Sequence, residues 1–119
     1  MKLTTLDFQQ ARIKQVLFKS RLRSVLHWVR EADEALFSRS LNPLGQWLDA
    51  VVEPKYVARP EVREVERVLL QMLSTDRDLT TLYQRGQIKE SRAGLERVNT
   101  QADRIDALFK QLEQRAKPA

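Results

Sequence analysis

Apolar residues recur at intervals of three and four along almost the whole of this 119-residue chain, and only seven residues are Gly or Pro. That spacing belongs to amphipathic helices, and no stretch alternates convincingly with the two-residue period of a half-buried strand. The chain therefore reads as all-α. One seam is Phe8, Ala11, Phe18, Leu22, Val25, Val29, Ala32 and Leu36, with Gln15 in its single polar slot, and it predicts a first helix over 5–38. A second is Val62, Val65, Leu69, Met72, Leu79 and Tyr83, with Asp76 in the slot between Met72 and Leu79. A third is Ile88, Leu95, Val98, Ala102, Ile105, Phe109 and Leu112.

The few breakers fall between these seams. In SLNPLGQWLDA, residues 40–50, Asn42 can cap a helix whose first residue is Pro43. A short helix over 43–52 then presents Leu44, Trp47, Leu48 and Val51; Gly45 would let another helix approach closely, and Trp47 would plug the core beneath. EPKYVARP breaks the chain again over 53–59, and Pro60 with Glu61 makes a first helical turn, the acid near the positive helix end. Gly86, after Arg85, closes that helix as a left-handed cap would. Three long helices and one short one result. Short connections favour antiparallel neighbours, so the expected architecture is an up-and-down four-helix bundle, one domain over 1–119 with a frayed tail at 115–119.

Composition narrows the function. The absence of Cys and the presence of one His remove a disulfide framework and leave too few ligands for an ordinary zinc site. No window holds the apolar run of a membrane span, and the amino terminus MKLTTLDFQQARIKQ is too charged for a signal peptide, so the expectation is a cytoplasmic protein without membrane insertion. The net charge of +5 is spread among acids, as in EVREVER and KESRAGLER, which describes solvated helix faces better than one basic stripe. Nucleic-acid association through scattered Arg is therefore a secondary alternative.

No catalytic residue, metal site or cofactor is indicated. His27 is followed by Trp28, Val29 and Arg30, not by the Lys-Gly that gives room around a phosphorylated His, and reads as a structural or surface residue. There is no Glu-x-x-His, no Gly-rich phosphate loop and no nucleophile elbow. A second stripe on the first helix, Leu6, Ile13, Val16 and Leu17, lies opposite the first. It is either a dimer face or a surface packed on the last helix.

The run Asn42-Pro43-Leu44-Gly45-Gln46-Trp47 resembles the Cys-x-Leu-Gly-x-Trp signature of the chemoreceptor zinc-binding domain family, with Asn42 where that family has a zinc-ligating Cys. The family's first helix carries a ligating His, then Trp three residues on, Lys and a Leu; here the matching run is Gln15, Phe18, Lys19 and Leu22. Its His-x-x-x-His pair on the third helix, counted back from Gly86, falls at Val68 and Met72 to within one turn. The resemblance covers about residues 8 to 112, and Leu-Gly-x-Trp is its specific core. All four ligand positions are lost, so it implies a domain without zinc at that site.

What the resemblance does imply is the bundle, a homodimer, and a regulatory character in bacterial signal transduction of the chemotaxis or cyclic-di-GMP kind, with a chemoreceptor or diguanylate cyclase as partner. Val68 and Met72 would extend the dry core into the vacated space, while Gln15 and Asn42 would need hydrogen-bond partners if buried. Asp76, one turn beyond Met72, would supply one or pair with an Arg; the alternative stands it at a solvent-facing edge. A small-molecule binder using the vacated pocket is the other reading of the same residues.

Overall fold

A computed structural model describes residues 4–27, 31–32, 34–51 and 59–116, and among these there is no strand. The helices are α1 (Thr5–Val25), α2 (Pro43–Val51), α3 (Pro60–Gln84), α4 (Ile88–Ala93) and α5 (Leu95–Ala116), with a 3-10 turn at Glu34–Leu36. Every regular element among the described residues is helical.

α1 opens with a capping box. Thr4 Oγ1 accepts from the Asp7 amide at 3.2 Å while the Asp7 carboxylate accepts from the Thr4 amide at 2.8 Å, which satisfies two otherwise orphaned donors. The helix stops at Val25 and does not continue to 38. Its end is sealed from outside the helix: the Leu26 carbonyl accepts from Arg92 Nε at 2.8 Å, and His27 Nδ1 donates to the Arg23 carbonyl, also at 2.8 Å. Ala32 and Leu36 still pack on the core, from the segment around the 3-10 turn and not from α1. Val29 lies outside the described residues, as does nearly all of the 53–59 connection.

Pro60 begins α3 with Arg59 as its cap residue. At the other end the Gly86 amide donates to the Tyr83 carbonyl at 3.0 Å and the Gln87 amide to the Leu82 carbonyl at 2.9 Å, the paired bonds of a Schellman motif. Gly86 has φ +84°, the left-handed geometry that the motif demands and that side chains with a Cβ resist.

The last helix is not continuous from Ile88. It breaks at Gly94, where a Cβ would lie 2.2 Å from Leu79 Cδ2, so α3 passes too close for any larger residue without rearrangement. α5 runs to Ala116, and Arg115 pairs with Glu61 at 2.9 Å; the rest of the expected tail, 117–119, lies outside the described residues.

α3 and α5 run in opposite directions, because Glu61 near the start of α3 meets Arg115 near the end of α5 while Thr75 meets Gln101 at 3.1 Å. α1 and α5 are also opposed, through Arg12 with Glu113 at 3.1 Å and Gln15 with Asp106 at 2.7 Å. The buried side chains form one connected core in a body 53 × 21 × 21 Å. At one level Phe109 meets Phe8 and Trp47 edge to face while Phe8 and Trp47 are tilted against each other, their centroids 5.6 to 6.2 Å apart, tying α1, α2 and α5 together. Burying each such ring contributes about 1.5–3 kcal/mol.

Candidate functional site

Gln15 projects from the middle of α1 into the core and is 2 % exposed. It sits where the seam of Phe8, Ala11, Phe18 and Leu22 would otherwise be apolar, so the helical period itself carries its amide inward. Its Nε2 donates to Asp106 Oδ1 on α5 at 2.7 Å, and its Oε1 has no partner among the described residues. Asp106 was not legible as that partner. Burial holds its carboxyl above the ordinary carboxylate range, and Asp103 adds to the rise; Lys19, Arg12 and the Gln15 hydrogen bond pull the other way.

Asn42 is wholly buried at the start of α2. Its Oδ1 accepts from the amides of Leu44 at 2.8 Å and Gly45 at 3.1 Å, the bonding of a helix N-cap, while its Nδ2 has no partner among the described residues. Gly45 is needed for a different reason from the one its spacing suggests. It faces the main-chain carbonyl of Arg39 in the preceding loop and not another helix: a Cβ there would stand 2.2 Å from that oxygen.

Arg39 is another residue that sequence reasoning missed. Its Nε donates to Glu66 at 2.7 Å, its terminal nitrogens to Asp49 at 3.0 and 3.1 Å, and it also pairs with the second Glu66 oxygen, so one guanidinium ties the loop to α3 and α2. Hydrogen bonds to Glu66 and then Asp49 raise its already high pKa further. No neighbouring sequence signal marks it, because its partners lie ten and twenty-seven residues away.

Val68 and Met72 are buried on α3, Phe18 and Leu22 on α1, and Leu44 on α2; Lys19 is half-buried. The register set by Glu61 with Arg115 and Thr75 with Gln101 puts Asp106, and so Gln15, at the level of Val68 to Met72. One turn on, Asp76 is also wholly buried, which excludes the solvent-facing edge. Among the described residues it pairs neither with an Arg nor with Gln15 and both carboxylate oxygens lack a partner; burial pushes the carboxyl up to about 9. At neutral pH Asp76 is therefore a neutral acid inside the core.

The donor set does not make a zinc centre. One amide is bound to Asp106, the other caps a helix, and the remaining two side chains are a Val and a thioether. Among the described residues no three His, Cys, Asp or Glu side chains gather in one place.

Leu6, Ile13, Val16 and Leu17 are between 51 and 62 % exposed. The second stripe is thus not packed on the last helix. His27 is exposed as well. No helix among the described residues is long and apolar enough to cross a membrane. Comparison of the chain with protein-family models, with curated proteins and with solved structures finds no match.

Proposed function

We propose that the chain is a zinc-free relative of the chemoreceptor zinc-binding domain, an up-and-down four-helix bundle that serves as a cytoplasmic regulatory or interaction module in bacterial signal transduction and catalyses nothing itself. The observation that supports this reading is the burial of Gln15 on α1, Asn42 at the start of α2, and Val68 with Met72 on α3. Two amides in a core cost free energy unless bonded, and here each keeps one polar atom without a partner among the described residues, which fits positions not chosen for packing alone. Occupants that suit such a module are a second copy of the chain and a chemoreceptor or diguanylate cyclase of the chemotaxis or cyclic-di-GMP type. Light scattering across a concentration range reads the first directly, and a monomer at every concentration counts against the homodimer.

The test of the family reading is to restore the ligands. A Gln15→His, Asn42→Cys, Val68→His, Met72→His variant should bind one zinc per chain by elemental analysis and give the absorption of tetrahedral cobalt when loaded with that ion. A variant that keeps its helical circular dichroism yet binds no metal removes the reading.

The Gln15 Oε1 and Asn42 Nδ2, without partners among the described residues, favour a second reading, in which the vacated site takes a small molecule. A thermal-shift screen with small anions and apolar compounds separates the two, since stabilisation of the native chain that is lost in Gln15→Met and Asn42→Ser marks a ligand site there.

A further inference from the structure

α1 is amphipathic twice. One face, with Phe8, Ala11, Gln15, Phe18 and Leu22, belongs to the core. On the other, Leu6, Gln9, Gln10, Ile13, Val16, Leu17 and Ser20 are all exposed and all uncharged. These positions repeat every seven residues, the seam that a helix presents to another helix lying along it.

The charges of α1 stand at the edges of this seam. At about 100° per residue, Arg12 and Lys19 fall on one side and Lys14 and Arg21 on the other. Arg23 follows in the last turn, and the sole acid, Asp7, is engaged with Thr4 in the capping box. Five basic residues against one acid give this helix four of the chain's five net positive charges. Arg12 is paired with Glu113 of α5, so the net positive charge beside the exposed aliphatic strip rests on Lys14, Lys19, Arg21 and Arg23.

That combination discriminates among occupants. A second copy would set basic edges against basic edges. A phosphate backbone would meet an aliphatic ridge at the centre of the contact. A lipid surface would find no aromatic residue on the strip, and polar Gln or Ser at several of its positions. An amphipathic helix with its own aliphatic stripe and Asp or Glu on both flanks satisfies the ridge and the edges together.

We propose that the exposed face of α1 docks such an acid-flanked helix of a partner protein. The inference rests on reading the chain as an interaction module and names the partner's chemistry. The strip from Leu6 to Ser20 is only about 20 Å long, which suits a transient contact and not an obligate one.

The probe is a labelled three-heptad peptide with Leu at the seam positions and Glu on both flanks, measured by fluorescence anisotropy against the full chain. Its counterpart carries Lys on the flanks; phosphatidylglycerol vesicles and a short DNA duplex are run beside them. The Glu peptide should bind at least about ten-fold more tightly than the Lys peptide, with the advantage shrinking as salt is added. Ile13→Gln with Leu17→Gln should abolish binding, and Lys14→Glu with Arg21→Glu should reverse the peptide preference, all with unchanged circular dichroism. Equal affinity for the two peptides, no binding of either, stronger binding of vesicles or DNA, or a dimer dissolved by Ile13→Gln with Leu17→Gln each overturns the proposal. None of these outcomes depends on the restored zinc site, so the two readings fail separately.

Discussion

Gly45 lies against the main-chain carbonyl of Arg39, with room for a hydrogen and not for a methyl group: a Cβ would be 2.2 Å from the oxygen. Neither side can move cheaply, because Arg39 is tied to Glu66 and Asp49 and its carbonyl also accepts from the Asn42 amide at 3.2 Å. Gly45→Ala gains about 1 kcal/mol of helix propensity. The overlap costs about 1–3 kcal/mol, so the variant should be less stable than the parent in urea denaturation. Gly94→Ala is the comparison, since its Cβ meets the tip of the Leu79 side chain and not a backbone atom. The smaller loss should fall at Gly94.

Asn42 caps two amides through one oxygen. Asn42→Ala removes that acceptor in a buried place and should cost about 1–2 kcal/mol. Asn42→Ser keeps a capping oxygen and should recover a good part of the loss. Equal midpoints for Ala and Ser would mean that the cap contributes nothing and that the position is sensitive only to volume.

The seams were legible because a period of three and four marks which side chains seek the core. It does not say that the backbone between them is one helix. Leu36 is buried as that spacing requires, yet it reaches the core from a 3-10 turn beyond the end of α1, and what seals that end is Arg92, far along the chain. The polar slots at Gln15 and Asp76 were visible for the same reason, whereas their surroundings were not. Naming Asp106 as the partner of Gln15 requires the α1–α5 register, and knowing that Asp76 has no partner requires every neighbouring element in place. The exposure of Leu6, Ile13, Val16 and Leu17 was undecidable for a related reason: sequence shows an apolar stripe but not whether α5 has a face left to cover it.

The bond from Gln15 to Asp106 should show in the titration of the acid. It favours the charged carboxylate, so Gln15→Met, which keeps the volume and removes the donor, should move Asp106 further upward in a carbon-detected NMR titration. The same change removes the unpartnered Oε1 from the core, which offsets part of the lost bond. Gln15→Met should therefore be milder than Gln15→Ala, which loses the same bond and leaves a cavity as well. An unmoved Asp106 would show that the bond is not formed in solution.

Asp76 should make stability depend on pH in the direction opposite to a paired carboxylate. Its ordinary pKa of 3.8 rises to about 9 in the folded chain, because burial penalises the charged form. Between those values the unfolded chain has released the proton and the folded chain keeps it, so this group's contribution is complete below 3.8 and is lost as pH rises toward 9. The slope is at most about 1.4 kcal/mol per pH unit for one group. Asp76→Asn keeps the shape without the ionisation and should flatten that dependence: its urea midpoint should exceed the parent's at pH 8, with the gain shrinking steadily toward pH 5. Parallel curves for the two proteins would show that Asp76 is charged in the fold, with a partner or water at its oxygens.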